Sequence, residues 1–222
     1  MVKISVPEFS NVIYYLEQHE KHNNFPAWVI RHQKEVFLLS YQMGESLGLK
    51  NEQLTDLAIA ARFHDIGKTH IDARIINHPG VLSDAQRFEV FEHVHQFYEI
   101  LKKKGVDSKP ILDGVFYHHE NYDGTGYPDR LRADEIPLEA QILRIVDSFS
   151  AMLGRRPYHN RSQKDLEWAL LQIEENSGTL YNPKLVEVFL KITKKSNTAY
   201  PAGNNNAGGG MIPCGRVKRI VR

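Results

Sequence analysis

The chain has 222 residues, of which 41% are apolar and 25% are charged, and its formal net charge is +1. These values are typical of one globular domain with a sizeable core, and the near-neutral charge argues against a dedicated nucleic-acid binder. A single cysteine excludes a disulfide framework and a cysteine-rich zinc site. No apolar run is long enough to span a bilayer, and the first residues lack the apolar core of a signal peptide. We therefore expect a cytoplasmic protein without a membrane span.

Apolar residues recur at helical spacing along most of the chain, and no convincing period-two strand is present. The first predicted helices cover part of the lead-in 1–27, then Arg31 to Leu47, and then a segment that Asn51 can cap and that ends near Gly67. Five more predicted helices follow: Ser83 to Gly105 with a capping box, Pro110 to the double histidine, Leu138 to Met152, one capped by Ser162, and one opened by Asn182-Pro183. The prediction is an all-α fold, an antiparallel bundle of about seven to eight helices.

Three stretches lack helical periodicity. His70 to Leu82 contains a cluster of turn residues, and His119 to Pro137 is a long polar loop of the kind that is usually functional or disordered. The last stretch, 195–222, is rich in glycine and asparagine and carries five basic residues and no acidic one. We expect a flexible tail there, with a basic contact surface for RNA or membrane as the alternative.

Histidine and aspartate pairs stand at the ends of predicted helices. His64-Asp65 ends one helix and precedes Lys68, and His118-His119 ends another. Asp147 lies inside the apolar run 142–149, where a carboxylate is costly unless it is paired or bound to a cation. Imidazole and carboxylate ligands together suit iron, manganese, zinc, nickel or cobalt. These residues are therefore candidates for a metal site.

His32 and His93 lie in two further predicted helices, so the candidate ligands are dispersed along the chain. Only an antiparallel bundle could bring them together, and helical bundles do build metal sites from facing helices. Lys68 follows His64 by four residues, so a continuing helix would place its ammonium beside the metal, where a phosphate oxygen could bind. Taken singly, each residue also has an ordinary interpretation: a lone histidine is more often a surface or capping residue, and Asp147 can pair with an arginine.

Seven short motifs follow one another along the chain. They are HDIGK at 64–68, NHPG at 77–80, HHE at 118–120, DGTGYP at 123–128, EIPL at 135–138, DSF at 147–149 and RPY at 156–158. This ordered combination resembles the HD-GYP family, a branch of the HD-domain metal-dependent phosphohydrolases. The resemblance implies a lead-in at 1–27, an all-helical catalytic domain with a binuclear metal site at 28–194, and a tail at 195–222. It also implies hydrolysis of the messenger cyclic di-GMP to pGpG or GMP.

Carried over residue by residue, the resemblance implies two divalent transition-metal ions, iron or manganese first, with zinc, nickel or cobalt as alternatives. One ion would be held by His32, His64, Asp65 and Asp147, and the other by His93, His118 and His119, with Asp65 bridging. Asp65 and Lys68 would act in catalysis, while Lys68, Arg156 and Tyr127 would bind the substrate. Tyr127 also has an ordinary interpretation, in which its ring only packs the loop down.

The chain departs from the family pattern at several positions. Some members place a glutamate four residues before the first histidine, where it supports a third metal, but this chain has Trp28 there. We therefore expect two metals rather than three. Val94 and Phe97 replace a usual proline and glycine, and His78 replaces a usual lysine. None of these changes removes an expected metal ligand, so the metal site is more firmly implied than the substrate.

Two alternatives to a cyclic di-GMP phosphodiesterase stay open. One is an HD-domain phosphohydrolase that acts on another cyclic dinucleotide or on a nucleotide. The other is a slow-turnover module that binds cyclic di-GMP and signals through a protein partner, for which the loop at 123–128 is the candidate contact. The complete ligand set argues against the binding module, and a turnover assay with manganese or ferrous iron separates it from an enzyme.

Overall fold

The computed structural model describes residues 10–22, 27–76, 78, 80–153 and 163–195. Within these ranges, nine α-helices have eight residues or more and a tenth is a single turn. In chain order they are α1 (Ser10–His22), α2 (Ala27–Ser46), α3 (Asn51–Phe63), α4 (Ala73–Ile76), α5 (Asp84–Phe91), α6 (His93–Lys103), α7 (Lys109–Tyr117), α8 (Leu138–Leu153), α9 (Gln163–Glu175) and α10 (Pro183–Lys195). The all-α prediction is confirmed, because strand-like pairing in the described residues is limited to one isolated bridge.

The core lies among α2, α3, α7 and α8. α2 packs against α3 and α8, α7 packs against the same two helices, and α9 and α10 cover α8. Met43 on α2, Leu57 on α3 and Phe149 on α8 are fully buried in it. Each such side chain contributes about 1.5–3 kcal/mol of burial, so the core fixes the relative positions of the helices that carry the site. None of the helices in the described part of the chain combines the length and apolar character that a membrane span needs.

Two details of the predicted third helix are wrong. Lys50, not Asn51, takes the N-cap position, and it makes no side-chain capping hydrogen bond. Asn51 has a φ of 50°, a left-handed conformation that asparagine tolerates better than most residues. The helix ends at Phe63, and the chain continues as a turn and then a 3-10 helix over Ile66–His70. The α-helical spacing assumed for Lys68 therefore does not apply.

A close approach between two backbone segments explains why position 67 is a glycine. A Cβ atom built at Gly67 would lie 1.9 Å from the carbonyl oxygen of His93. Only glycine permits that approach, and the 3-10 helix packs directly against α6. The contact joins segments that are 26 positions apart in the chain, which local sequence patterns do not reveal.

The helix predicted from Ser83 to Gly105 is two helices, which accounts for nine long helices instead of seven to eight. The capping box of Ser83 and Gln86 is confirmed at the start of α5, but that helix ends at Phe91, and α6 begins at His93. None of the α5 residues is buried, so core packing does not extend this helix. The break places His93 at the first residue of α6.

The N-terminal helix shares the core with the helices that follow it. Leu16 on α1 is fully buried, and Glu20 receives two hydrogen bonds from Arg62 on α3, at 2.6 and 2.8 Å. A bidentate pair of this kind is stronger than an ordinary surface ion pair. The domain limits predicted from the sequence remain predictions, and the tail at 195–222 and Arg156 lie outside the described residues.

Candidate metal centre

The structure brings the seven predicted ligands together from five segments of the chain. His32 lies on α2 and Asp147 on α8, and the others lie in the turns after α3 and α7 and at the start of α6. Three overlapping groups of side chains result, in each of which the ligand atoms lie within 4.8 Å of one another: His32, His64 and Asp147 in the first group, His93, His118 and His119 in the second, and His64, Asp65 and His118 in a third that joins the other two. This is the arrangement that two neighbouring metal ions require.

Asp65 lies between the first two groups. Its Oδ1 atom is 3.6 Å from Nε2 of His64 in the first group and 3.7 Å from Nε2 of His93 in the second. Its Oδ2 atom is 3.8 Å from Nε2 of His32. Asp147 belongs to the first group, and its Oδ1 atom is 3.0 Å from Nε2 of His32 and 3.6 Å from Nε2 of His64. Asp65 is therefore the carboxylate that both groups share.

Three of the histidines are oriented by the backbone immediately before them. Nδ1 lies 3.0 Å from the carbonyl oxygen of Ala61 in His64, 2.6 Å from that of Val90 in His93, and 2.7 Å from that of Val115 in His118. Each of these histidines lies at or just beyond the end of a helix, next to the carbonyl groups of the last helical turn. Because Nδ1–H donates to that carbonyl, the lone pair of Nε2 faces the centre. Fixing a ligand's tautomer in this way is common in metal sites.

Burial and neighbouring charges keep most of the centre in the protonation states that bind cations. Burial, reinforced by Lys68, lowers the pKa of His93 to about 4. Burial and the adjacent imidazoles hold the pKa values of His118 and His119 well below the usual 6.5. These three rings are therefore neutral at pH 7.

The pKa values of the two carboxylates and of His64 are governed by neighbouring charges more than by burial. Burial acts to raise the pKa of Asp65, but Lys68 and His64 outweigh it and hold that pKa well below its usual range. Burial acts to raise the pKa of Asp147, but the neighbouring imidazoles of His32 and His64 outweigh it and hold that pKa well below its usual range. Burial would lower the pKa of His64, but Asp65 and Asp147 raise it. The two carboxylates therefore stay ionised at pH 7.

The donor chemistry of the centre fits divalent transition metals. Nε2 of His64 is buried and has no hydrogen-bond partner among the described residues. A buried polar atom without a partner is costly, and a cation would satisfy it. Neutral imidazoles with two carboxylates and no thiolate suit first-row transition metals better than calcium, which takes oxygen ligands. The chain therefore carries candidate ligand groups for such metals.

Lys68 lies at the mouth of the centre. Its Nζ atom is 2.6 Å from Oδ1 of Asp65, and its side chain is 25% exposed while that of Asp65 is only 3% exposed. The contact spans three residues, which suits the 3-10 helix that carries it. The ammonium therefore stands between the buried carboxylate and solvent.

Tyr127 packs against two aromatic neighbours. Its ring stacks on Phe91 of α5 with the centroids 3.9 Å apart, and on His119 with the centroids 4.8 Å apart. This geometry supports the packing role for Tyr127. A guanine base could stack on Tyr127 only if one of these rings moved, so its predicted substrate contact stays a prediction.

Several residues that shape the site were not singled out from the sequence. Arg144 on α8 donates two hydrogen bonds to Oδ1 of Asn121, at 2.9 and 2.8 Å, and so anchors the loop that follows His119. Ser150 and Glu35 form a hydrogen-bonded link to His32. Arg144 could have been found from the sequence, because an arginine within an apolar helix needs a partner. The link through Ser150 could not, because it depends on how α2 and α8 pack.

Comparison with known proteins is consistent with this geometry. Residues 20–185 match the HD domain family. The chain is 40% identical over 175 residues to a cyclic di-GMP phosphodiesterase of Thermotoga maritima, which covers 77% of this chain and 46% of the relative. It is 34% identical over 166 residues to 3'3'-cGAMP-specific phosphodiesterase 2 of Vibrio cholerae, which covers 72% of this chain and 30% of the relative. The chain thus spans less than half the length of these curated relatives.

Solved structures share the fold. An HDG"Y"P protein of Bdellovibrio bacteriovorus aligns with a TM-score of 0.62 at 17% identity, over 82% of this chain and 63% of that protein. A cyclic GMP-AMP specific phosphodiesterase of V. cholerae aligns with a TM-score of 0.57 at 20% identity, over 77% of this chain and 46% of that one. Together with the match over residues 20–185, this shows that the chain belongs to the HD domain family, and its resemblance to the HD-GYP branch is confirmed.

Proposed function

We propose that the chain is a metal-dependent phosphodiesterase that hydrolyses cyclic di-GMP to pGpG, GMP or both. The observation that carries the proposal is the position of Asp65 between two groups of ligand atoms, with its Oδ1 atom 3.6 Å from His64 and 3.7 Å from His93. The name of the T. maritima relative supports the substrate. The side chain of Lys68 is 25% exposed, so a phosphodiester can reach its ammonium from solvent.

The proposal assigns one divalent ion to His32, His64, Asp65 and Asp147, and a second to His93, His118 and His119, with Asp65 shared. Iron or manganese suits these ligands best, and zinc, nickel or cobalt would also be accepted. When bound, two such ions lower the pKa of water and offset negative charge on the phosphoryl oxygens. The protein fixes their spacing through the buried positions of its ligands.

Lys68 is assigned the role of phosphate contact. An ammonium is a compact point charge, so it can offset charge that develops on a non-bridging phosphoryl oxygen in the transition state. Its contact with Asp65 orients it, and its partial exposure leaves it accessible to a ligand. Arg156, which lies outside the described residues, is predicted to bind phosphate as a bidentate donor.

A second substrate class has specific support. A relative at 34% identity is named a 3'3'-cGAMP-specific phosphodiesterase, so hydrolysis of this cyclic dinucleotide is the alternative. Both substrates present the same phosphodiester linkage to the metal centre, and they differ in one base. Base recognition therefore decides between them. A protein partner at the loop 123–128 and a cytoplasmic location stay predictions.

The test combines metal analysis with turnover. Protein purified without oxygen is analysed for metal content and is then assayed with cyclic di-GMP and 3'3'-cGAMP in competition. We expect two metal ions per chain and preferred hydrolysis of cyclic di-GMP. Preferred hydrolysis of cGAMP would favour the alternative substrate. Stoichiometric binding of cyclic di-GMP without turnover, in protein that holds both metals, would contradict the enzyme proposal and favour a binding module.

A further inference from the structure

His32 is oriented differently from the three histidines that donate to backbone carbonyls. It lies inside α2, where the carbonyl groups are already engaged by the helix, so a backbone acceptor is not available to its ring. Its Nδ1 atom instead lies 3.0 Å from Oγ of Ser150 on α8. Ser150 is 1% exposed, so this contact is buried.

Ser150 also contacts a carboxylate. Its Oγ atom lies 3.1 Å from Oε2 of Glu35, which lies on α2 three residues after His32. On α8, Ser150 lies three residues after Asp147, whose Oδ1 atom is 3.0 Å from Nε2 of His32. Residues three apart share one helical face. The pair His32 and Glu35 on α2 therefore faces the pair Asp147 and Ser150 on α8. The link therefore runs from Glu35 through Ser150 to His32.

The direction of the hydrogen bonds follows from the donors that are present. A serine hydroxyl has one proton to donate, and an ionised carboxylate can only accept. A hydrogen bond to a charged carboxylate is stronger than one to a neutral imidazole, so the hydroxyl donates to Glu35. The lone pairs of Oγ then accept Nδ1–H of His32. In this arrangement Nε2 of His32 carries no proton, so a cation held by the nearby oxygens of Asp147 and Asp65 could also bind Nε2.

We propose that Glu35 and Ser150 are positioning residues that hold His32 in the Nδ1-protonated tautomer, so that Nε2 can bind the metal it shares with His64. The proposal rests on the metal centre assigned above. It adds a hydrogen-bonded link that affects only one of the two metal positions, the one that includes His32. Without Glu35, the hydroxyl proton can turn to Nδ1 of His32. The ring then carries its proton on Nε2, donates it to Asp147, and cannot accept a cation.

The test is metal binding by the 222-residue chain, titrated with Mn²⁺ alone and read by calorimetry and by metal content after dialysis. Ser150→Ala and Glu35→Gln should each weaken one Mn²⁺ position by about 10- to 100-fold and leave the other unchanged, as loss of such an outer partner does elsewhere. Adding Glu35→Gln to Ser150→Ala should cause no further loss, because Glu35 acts through the hydroxyl. Ser150→Thr keeps a hydroxyl and should retain most of the affinity.

A matched control and a direct readout complete the test. Ser40→Ala removes another fully buried hydroxyl from α2 and should leave the Mn²⁺ isotherm unchanged. In nitrogen-15 NMR of the metal-free chain, the fraction of His32 protonated on Nδ1 should be larger in the wild type than in Glu35→Gln. Wild-type affinity at both positions in Glu35→Gln and Ser150→Ala would overturn the proposal, as would equal weakening of both positions.

Two further outcomes keep this proposal separate from the enzymatic one. If Ser150→Ala does not fold, Glu35→Gln and the NMR tautomer decide the result, because that substitution changes no buried volume. If the wild-type chain binds two Mn²⁺ ions but hydrolyses no cyclic dinucleotide, the proposed function fails, and the link to His32 is still judged by the binding isotherms alone.

Discussion

The centre of the site and its rim are held in place by different forces. In the centre, buried histidines are fixed by the chain itself, as His64 is by the carbonyl of Ala61. The rim consists of α5 and the loop 119–137. α5 has no buried residue, and Phe88 and Phe91 on it are 66% and 38% exposed. The comparison indicates that the candidate ligand groups are held together by buried contacts, whereas α5 on the rim is attached by few contacts.

Two parts of the loop 119–137 are attached to the rest of the protein by different contacts. Its base is anchored by the two hydrogen bonds from Arg144 to Asn121 and by Glu120, whose Oε1 atom accepts a hydrogen bond from the backbone of Asp129 at 2.7 Å. Further along the loop, Tyr127 packs against α5 by stacking on Phe91. Changes in the centre should therefore act on metal binding and rate, and changes in the outer rim should act on substrate affinity.

The largest effect is expected from the residue shared by both halves of the centre. Asp65→Ala removes a carboxylate that both ligand groups contact, so neither metal should be retained after dialysis, and two cations would otherwise repel each other across a short gap. Activity should fall by more than about 100-fold, since loss of an outer partner alone costs 10- to 100-fold in such sites. Metal analysis checks this, with the partly exposed Asp72→Ala as control. Retention of both ions would refute the bridging role.

Lys68→Ala tests whether the lysine beside the centre contacts phosphate or maintains the metal ligands. We expect both metals to be kept and kcat to fall by roughly 10- to 150-fold, the value of a lost charge-assisted hydrogen bond of about 1.5–3 kcal/mol. Steady-state kinetics at saturating metal give the result, and the exposed Lys102→Ala should behave as wild type. A variant that loses its metals instead would show that the lysine maintains the centre and does not act on phosphate.

A pH titration of the metal-free chain tests whether the histidines of the centre are already buried and neutral before a metal binds. His93, His118 and His119 have pKa values below the unfolded value of about 6.5, so the unfolded chain binds more protons as the pH falls through 6.5. His64 has a raised pKa and contributes in the opposite sense, because its stabilisation is complete below pH 6.5 and is lost as the pH rises through its folded-state pKa. The three groups with lowered pKa values outweigh this single opposing contribution. Urea unfolding should therefore show at least about 2 kcal/mol less stability at pH 5 than at pH 7.

The control for that titration is a variant with one fewer titrating ring. His93→Gln should have a shallower loss of stability between pH 7 and pH 5, because one of the three suppressed protonations is absent. A wild-type free energy of unfolding that is constant over this range would contradict the buried, neutral state of the histidines.

The smallest effect is expected at the outer rim. Phe91→Ala removes a partly exposed ring from the stack on Tyr127, and such aromatic pairs contribute about 0.5–1.5 kcal/mol beyond the area that they bury. Both metals should be kept, and KM should rise more than kcat falls. A double-mutant cycle with Tyr127→Leu measures the coupling, and Phe88→Ala on the same helix is the control. A coupling near zero would show that the stack does not hold the loop.

Residue types and motif order were enough to predict the all-α fold and the seven residues that converge on the centre. Asp147 was informative because a carboxylate in an apolar helix needs a partner, and the structure gives it His32 at 3.0 Å. Helix ends that depend on local chemistry were also predictable, as at Ser83 and at Pro183. These features depend on residues close together in the chain or on the cost of burying a charge.

The features that were missed depend on contacts between distant segments. Gly67 meets the backbone of His93 from a distant segment, and α5, which ends just before His93, buries none of its residues. The link from Glu35 to Ser150 depends on how α2 and α8 are rotated about their axes. Helical periodicity identifies the face that is buried, but it does not specify which residues of two faces meet.

Gly67 constrains any redesign of this chain for greater stability. Replacing a helical glycine with alanine is a standard stabilising change, worth about 0.5–1 kcal/mol at a compatible position. Here the added methyl group would meet the carbonyl of His93 at 1.9 Å and would push the segment that carries His64 and Asp65 away from the one that carries His93. The missing side chain thus acts as a spacer that sets the distance between the two halves of the centre, and a thermostable variant has to keep it.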